Sequence, residues 1–377
     1  MPKVVILQFS GNKEFKIQIL RKLDLYIIRK FLGTFFFAIV LIISISVIFD
    51  FSEHIDEYID KEAPLKAIIF DYYLNFIPYF ANLFSALFTF IAVIFFTSKM
   101  AYDTEIIAIL SSGVSFRRMM YPYFISALII GIFSFVLSNY IIPPANQKRL
   151  DFTATYISKQ FRNNERNIHR QIEPGVFIYM INYEVASNTG YKFALERFEG
   201  KELVSKLSSR SIRWSNEKNK WTINDFFIRT IDGEKESFEH GRTKDTTFNF
   251  GPEEFGSKKN IVEAMNLPQL NDFIEQQSMR GDSNIEAYKI EKYKRMANPF
   301  STFILTLIGV SLASRKIRGG MGLHIGIGLL LSFSFILFMQ ISIVFATNGS
   351  MNPILAVWLP NIVFAVIAVY LYRIAPK

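Results

Sequence analysis

Six runs of mostly apolar residues constrain the fold of this chain more than any other feature of its sequence. A helix that crosses a lipid bilayer needs roughly 20 apolar residues. Inside lipid the backbone must satisfy its own hydrogen bonds, so each run is expected to form a membrane-spanning helix. The runs lie at about 31–49, 68–97, 121–142, 299–314, 322–346 and 353–372.

Two of these runs depart from a simple span. The fourth is short by itself, and it reaches full length if the polar segment 285–297 before it belongs to the same helix. The second contains Pro78, which predicts a tilt, a kink or an extension along the membrane surface. The first run is too long for a cleaved signal peptide, and an acidic segment rather than a cleavage site follows it.

The composition adds a soluble domain to the spans. The chain has 377 residues, of which 50% are hydrophobic and 20% charged, and this mixture is too polar for spans alone. It has no cysteine, which excludes disulfides and thiolate chemistry. The net charge is +9. In a membrane protein the position of that charge matters more than its sum, so it does not indicate a nucleic-acid partner.

Basic residues concentrate on alternate loops. The net charge is +5 over residues 1–30, −4 over the loop 50–66, +1 over the loop 99–118, +3 over the loop 315–321 and +2 over the C-terminal tail. Because Lys and Arg favour the cytoplasmic side of a membrane, both termini and the two basic loops are expected in the cytoplasm. The segment 143–298 then lies on the opposite side.

The domain organisation has three parts. Residues 1–142 hold an N-terminal cytoplasmic segment and the first three spans, residues 143–298 form an external domain, and residues 299–377 hold the last three spans. The two halves therefore enclose one large insertion.

The external domain contains a stretch whose hydrophobic period is that of β-strands. This stretch predicts an antiparallel sandwich, roll or open barrel at about 172–262. Helical patterns flank it: NQKRLDFTATYISKQ extends the third span, and LPQLNDFIEQQ and NIEAYKIEKYKRMA lead to the fourth. The runs rich in aromatic and β-branched residues are VFIYMINYE, YKFALERF, KLSSRSIRW, KWTINDFFIRT and DTTFNF, with the turn signals SNTG, NEKN, DGE and GPEE between or after them.

The sequence offers no energy source and no catalytic set. No GxxxxGK[ST] phosphate loop occurs, so the chain does not bind ATP in that way. Acids are almost absent from the spans, with Asp71 as the main exception, which argues against a proton- or sodium-driven carrier. The four histidines are scattered and lack the spacing of metal ligands. We therefore expect no metal site and no enzyme activity in this chain, and any transport would draw its energy from another chain.

The segment TEIIAILSSGVSFRRMM, at 104–120, separates the second and third apolar runs. It predicts a short amphipathic helix at about 103–116, with an acid at its N-terminus, where the macrodipole favours one. Such a helix can present Glu105 to a basic residue of a cytoplasmic partner, or it can be an ordinary interfacial connector with a solvated acid. On a helical wheel Ile106, Ile107, Leu110 and Val114 share one face, and Glu105, Ala108 and Ser112 share the other.

Several stretches resemble the LptF/LptG (YjgP/YjgQ) permease family, the membrane subunits of the lipopolysaccharide export machine. LDLYIIRKFLGTF resembles the start of the family, TEIIAILSSGVS its cytoplasmic coupling helix, and EPGVFIY with the strands after it the β-jellyroll domain. IEKYKRMANPFSTFILTLIGVSLASRKIRGG resembles the fourth span and the basic loop after it. The similarity covers nearly the whole chain from about Leu23. It implies an α-helical membrane protein of the bacterial inner membrane, with six transmembrane helices and an inserted periplasmic β-jellyroll domain.

The resemblance also implies partners. Two related permeases of this family pair and bind a dimeric cytoplasmic LptB-like ATPase, which holds the ATP and Mg, so no cofactor is expected in this chain. ATP hydrolysis would move the coupling helix, and lipopolysaccharide would leave the inner membrane and pass to LptC/LptA-like periplasmic proteins. The sequence does not tell an F-type from a G-type subunit.

Roles for individual residues follow from the same resemblance. The acid that contacts the ATPase is Glu105, at the start of the coupling helix. Glycines of the fifth span would let helices approach closely at a lateral gate, or they serve in simple span packing. The residues that shape the coupling helix are Ile106, Ile107, Leu110 and Gly113, and the glycines are Gly322, Gly326 and Gly328.

One departure from the family and two alternatives remain. The family often has basic residues at the external end of the first span, where this chain reads FDFSEHIDEYID. Lipid phosphates would then be met by the partner permease, by divalent cations, or by neither if the substrate has fewer phosphates. The alternatives are a permease of a different ABC exporter, such as a lipoprotein exporter, and a membrane-anchored assembly or receptor protein that transports nothing.

Overall fold

The computed structural model describes residues 22–157, 166–185, 187–233, 235–255, 261–282, 284–315 and 320–375. Within these residues six helices are long and apolar enough to cross a membrane, which confirms six spans, three on either side of an inserted β domain. The segment 1–21 and the residues 316–319 of the basic loop lie outside the described residues. Spans 1 to 6 are Lys22–Asp60, Leu65–Tyr102, Phe116–Ile157, Ile285–Ala313, Gly320–Thr347 and Pro353–Ile374.

Four of the helices are much longer than the apolar runs that predicted them. Span 1 has 39 residues and is therefore about 58 Å long at 1.5 Å per residue, whereas the hydrocarbon core of a bilayer is about 30 Å thick. The polar segment before the fourth apolar run does belong to the same helix, which begins at Ile285. The third helix likewise continues past its apolar run to Ile157.

Spans 2 and 3 contain π-helical segments near their connections to span 1 and to the β domain. These segments are Ile68–Tyr73, Leu137–Ile141 and Thr153–Ile157. The first lies just before Pro78, and the helix continues through both. The Asn75 amide donates to the carbonyl oxygens of Phe70 and Asp71, at 2.9 and 3.0 Å, and so satisfies backbone groups in the widened turn.

The spans alternate in direction, so the bundle has two ends. At one end, called the β-domain end, spans 3 and 4 connect to the β domain. At the other, called the loop end, the segment between spans 2 and 3 lies beside the start of span 1. Spans 2 and 4 contribute to two buried clusters: Phe96 and Val310 pack with spans 1 and 3, while Phe90 and Ile308 pack with spans 5 and 6.

The β domain is one eight-stranded sheet whose paired strands are all antiparallel. Its path runs β1-β2-β5-β6-β4-β3, and β7 pairs with both β6 and β8. The inserted antiparallel β domain is therefore confirmed. The strands are β1 Ile168–Glu173, β2 Val176–Met180, β3 Asn182–Glu184, β4 Thr189–Tyr191, β5 Ala194–Glu199, β6 Glu202–Ser215, β7 Lys220–Asp232 and β8 Lys235–Thr246.

Three parts of the β domain differ from the sequence-based expectation. Strand β1 begins at Ile168, before the predicted start of the β stretch at about 172, and no predicted run covers it. Strand β8 was not predicted, because its sequence KESFEHGRTKDT is exposed on nearly every residue and lacks the alternation that marks a half-buried strand. The run DTTFNF, predicted as a strand, leaves the sheet after Thr246. Its aromatic residues Phe248 and Phe250 instead stack on each other and pack against the core of the sheet.

Helices connect the β domain to span 4. The helix Leu267–Met279 begins with a capping box, in which Asn266 and Gln269 exchange side-chain to backbone hydrogen bonds of 3.0 Å. Val262 and Leu270 pack on Tyr288 of span 4. The exit of the β domain is therefore seated on span 4 through apolar contacts.

The first prediction concerns the core of the β domain. Trp221 is fully buried, and its indole nitrogen donates to the Phe250 carbonyl at 2.9 Å. Trp221→Ala should destabilise the β domain by about 3–5 kcal/mol, since it leaves a large cavity, and limited proteolysis of the full chain should then cut this domain much faster. Phe227→Ala on the same strand is the control, because Phe227 is 46% exposed. Equal cleavage rates for the two variants would contradict this account of the core.

Candidate functional site

The segment between spans 2 and 3 forms a short helix, Glu105–Ser111, called here the loop helix. Thr104 before it has a φ of 61° and Gly113 after it a φ of 84°. Both lie in the left-handed region, which only glycine adopts at low cost. Gly113 thus ends the loop helix, and span 3 begins directly afterwards, with the Ser115 hydroxyl accepting from the Arg118 backbone N–H.

The loop helix packs on the chain itself through one face. Ile106 is 1% exposed within the cluster that holds spans 1, 2 and 3 together, and Ile109 and Leu110 pack against the same cluster. Ile107, in contrast, is 49% exposed. The helical wheel that placed Ile107 on the same face as Ile106 was therefore wrong. The buried face is centred between Ile106 and Ile109, and because each residue turns the helix by about 100°, Ile107 points away from that face. Ile107 and Ala108 form an exposed face instead.

Glu105, at the start of the loop helix, contacts span 1. The Tyr26 hydroxyl donates to both carboxylate oxygens, at 2.8 and 3.1 Å, and Lys30 Nζ lies 3.6 Å from Oε1. Lys30 Nζ also lies 4.6 Å from the centre of the Tyr26 ring. Glu105 therefore sits against two residues of one helix that are four positions apart and share a face.

A second contact joins the same elements beside the loop helix. Arg118 of span 3 donates from Nη1 and Nη2 to the two oxygens of Asp24, at 2.7 and 2.6 Å. Asp24 is 1% exposed. This is the bidentate, charge-assisted geometry that makes Arg–carboxylate pairs strong.

The two contacts differ in strength because they differ in exposure. Breaking a buried ion pair by removing one partner typically costs about 3–5 kcal/mol. Glu105 and Lys30 have side chains that are 32% and 36% exposed, and exposed pairs contribute about 0–1 kcal/mol. The Asp24–Arg118 pair therefore fixes spans 1 and 3 together, whereas the Glu105 contact can be remade at little cost.

Sequence reasoning missed the span 1 side of this site. In the sequence, Asp24 and Lys30 contribute only to the net charge of residues 1–30, and no pattern marks Tyr26. The signal lay in the spacing of LDLYIIRK, which puts these three residues within two helical turns, but nothing in it identified partners 75 to 94 positions away.

The fifth-span glycines are placed unequally. A Cβ on Gly328 would lie 2.2 Å from Ile94 Cδ1 of span 2, whereas a Cβ on Gly322 or Gly326 would meet no atom within 4 Å. Within the described residues only Gly328 of the three supports close packing. Gly309 in span 4, which sequence reasoning passed over, also allows a close approach to span 2, since its Cβ would lie 2.8 Å from Val93 Cγ1 and 3.2 Å from Val93 Cβ.

The acidic stretch at the end of span 1 is partly engaged within the chain. Asp50 accepts hydrogen bonds from the hydroxyls of Tyr72 and Tyr73 of span 2, both at 3.1 Å. Glu53 and Asp56 are exposed. One of the acids in FDFSEHIDEYID therefore serves the packing of spans 1 and 2.

A polar cavity of about 260 Å³ lies at the β-domain end, lined by spans 2 to 5. Glu263, from the segment that leaves the β domain, reaches this cavity and lies 3.4 Å from the Tyr79 hydroxyl and 3.9 Å from Arg149 Nη2. Burial and the Glu291 carboxylate raise the pKa of Glu263 above its usual range. Sequence reasoning missed Glu263 because it lies outside every apolar run.

Arg295 of span 4 holds the same segment from the other side. It is 3% exposed, and its guanidinium donates to the carbonyl oxygens of Met265 and Val262, at 2.7 and 2.9 Å, and to Glu291 at 3.1 Å. The exit of the β domain is thus tied to spans 2, 3 and 4 by polar contacts as well as apolar ones.

The buried ion pair gives a matched test. Arg118→Met removes the cation that compensates the buried Asp24 carboxylate, and it should lower the free energy of unfolding by about 3–5 kcal/mol. Arg117→Met is the control, because Arg117 is exposed, and an exposed substitution should change stability by about 0.5 kcal/mol or less. Thermal unfolding in mild detergent measures both. Equal midpoints for the two variants would show that the pair does not anchor span 1.

The glycines give a second test. Gly309→Ala should destabilise the bundle by about 1–3 kcal/mol, because the stiff Val93 side chain has no room to yield. Gly326→Ala should leave stability unchanged or raise it slightly, since alanine is the better helix former and meets open space. The same unfolding assay applies. A loss of stability in Gly326→Ala comparable to that in Gly309→Ala would contradict the placement of span 5.

Comparison with known families gives one match. The sequence model described as lipopolysaccharide export system permease LptF/LptG matches residues 25–374. The match includes the loop helix, its contacts on span 1 from Leu25 onward, the β domain and all of spans 2 to 6. No curated protein matches the chain.

Proposed function

The chain belongs to the LptF/LptG family of lipopolysaccharide export system permeases, and from this premise we propose that it is a permease subunit of an ATP-driven exporter in the bacterial inner membrane. It extracts lipopolysaccharide from that membrane and passes it to a periplasmic bridge. ATP and Mg are bound and used by a separate, dimeric LptB-like ATPase, and this chain supplies the membrane pathway and the contact to that ATPase.

The loop helix is the observation that carries this proposal. It lies at the loop end, with Ile107 and Ala108 exposed and the Glu105 carboxylate a third exposed beside them. An exposed isoleucine next to an acid fits a partner groove with an apolar floor and a basic rim. Ile106 and Leu110, in contrast, fix the helix to its own chain, so they support the shape of the contact rather than form it.

Charge supports the orientation. The sequence before span 1 and the sequence after span 4 are basic, whereas the loop after span 1, at the β-domain end, is acidic. By the preference of Lys and Arg for the cytoplasmic side, the loop end and both termini face the cytoplasm, where an ATPase can dock. The β domain then lies in the periplasm.

The β domain supports a partner on the periplasmic side. Among the described strands β8 pairs only with β7, so one edge of this 12-residue strand carries unpaired backbone groups. Such an edge accepts a further strand from a partner of similar fold. We assign LptC/LptA-like proteins to this side, and a second LptF/LptG-type permease to the membrane face of the spans.

Charge reversal at Glu105 tests the proposal. Tagged protein is solubilised from native membranes in mild detergent, and the co-purifying ATPase is quantified for the native chain and for Glu105→Arg. We expect about tenfold or greater loss of the ATPase in the variant, because like charges at a docked contact cost more than the ~1.4 kcal/mol that a factor of ten represents. Ile107→Asp should act in the same direction.

Asp103→Arg is the matched control, since it makes the same charge change at an exposed acid that precedes the loop helix. Retention of the ATPase in Asp103→Arg and its loss in Glu105→Arg assign the contact to Glu105. Retention of the ATPase in all three variants would show that the loop helix does not contact it. Absence of an ATPase even from the native sample after crosslinking would favour the non-transporting receptor.

A further inference from the structure

We propose that Tyr26 and Lys30 form a latch that carries movement of the loop helix to span 1, with Glu105 as the shared link between the latch and the ATPase. This inference rests on the proposed function. It assigns to Tyr26 and Lys30 a positioning role in transport, in addition to any effect on stability.

The latch is a closed set of three contacts. Tyr26 donates to both oxygens of Glu105, Lys30 lies 3.6 Å from one of them, and the Lys30 ammonium lies over the Tyr26 ring. Tyr26 and Lys30 stand one helical turn apart on span 1, so they move as one body. Any displacement of Glu105 therefore acts on span 1 through two side chains at once.

The latch leaves room for a partner on the same carboxylate. A carboxylate has about four acceptor sites, and the latch occupies the side that faces span 1. The Glu105 side chain is still a third exposed, so a basic side chain of a partner can bind the remaining sites while Tyr26 stays in place. Glu105 then joins the ATPase to span 1 through one rigid group.

The fold does not need the latch in order to hold together. The loop helix is already fixed by Ile106 in the apolar cluster, and span 1 by the bidentate pair of Asp24 and Arg118. The latch residues are instead partly exposed, with 38% of Tyr26 accessible. A polar contact that is exposed in the single chain and is not required for packing fits a role that begins when a partner covers it.

Span 1 is also suited to being moved. The apolar windows of spans 1 and 5 are each only 22% buried within the described chain, against 44% to 56% for spans 2, 3 and 4. Large apolar residues such as Phe37 and Phe49 are more than two-thirds exposed. A span with so few contacts to its own bundle shifts more easily than the packed spans around it.

Tyr26→Phe is the sharpest test, because it removes one hydroxyl and keeps the ring beneath Lys30. The permease–ATPase complex is purified with the variant and reconstituted in phosphatidylethanolamine and phosphatidylglycerol vesicles that contain lipopolysaccharide. Three quantities are measured: ATPase bound per permease, ATP hydrolysed, and lipopolysaccharide released to added periplasmic acceptor protein. Tyr140→Phe is the control, since Tyr140 is 70% exposed at the β-domain end of span 3.

The expected result is native ATPase binding and a native melting midpoint in Tyr26→Phe, with about tenfold less lipopolysaccharide released per ATP. Lys30→Met should show the same uncoupling, and Lys30→Arg should restore coupling because it keeps the charge. Tyr140→Phe should match the native chain.

Three outcomes would overturn the latch while the proposed function stands. The first is native release per ATP in Tyr26→Phe, and the second is ATPase binding that rises in Tyr26→Phe, which would mean that the latch competes with the partner. The proposed contact itself fails separately, if Glu105→Arg retains the ATPase. A fall in the melting midpoint that fully accounts for the lost release would reduce Tyr26 to a structural role and also overturn the latch.

Discussion

The buried ion pair between Asp24 and Arg118 is the contact on which the loop end of this protein depends. It removes a carboxylate from water, and it does so at the point where spans 1 and 3 begin. An isolated buried charge is strongly unfavourable, so the two helix ends must stay in register with each other. The loop helix precedes span 3 by only a few residues, and its position beside span 1 follows from that register. Glu105 reaches Tyr26 and Lys30 because the Asp24–Arg118 pair and the apolar cluster around Ile106 hold the two elements together.

The site therefore combines a fixed contact with an adjustable one. The fixed contact, between Arg118 and the buried Asp24, is bidentate and short, at 2.6 Å. The adjustable contact, between Lys30 and Glu105, is longer, at 3.6 Å, and both of its side chains are about a third exposed. The first resists displacement because breaking it leaves a buried charge, whereas the second can break and re-form at little cost. The same pairing recurs at the β-domain end. Arg295 is buried with short hydrogen bonds to the backbone, while Glu263 is held by contacts of 3.4 to 3.9 Å beside a polar cavity.

The sequence predicted the elements that depend only on the pattern of neighbouring residues, namely the spans and most of the strands. Six spans followed from the need to satisfy the backbone in lipid, and most strands followed from alternation on a half-buried sheet. Strand β8 was not predicted, because both of its faces are exposed and its sequence therefore lacks the alternation of apolar and polar residues. Ile107 was assigned to the wrong face because a wheel of seven residues has no marker for where the buried face is centred. The partners of Glu105 and Arg118 were missed for a different reason: they are tertiary contacts across 79 and 94 positions, and residue type alone does not choose among many charged candidates.

The distribution of burial among the spans indicates which faces remain for other molecules. Spans 2 and 4 pack on both sides and form the centre of the bundle, whereas spans 1 and 5 are the least buried. Gly322 and Gly326 lie on span 5 with open space where a side chain would be, and a glycine surface in lipid is favourable only where another helix can approach it closely. Asp50 at the far end of span 1 is bound to tyrosines of span 2, so that acid serves helix packing and cannot be counted among groups that meet a lipid headgroup. Spans 1 and 5 thus have the apolar faces that the described chain covers least, and span 1 is the one that the loop helix reaches directly.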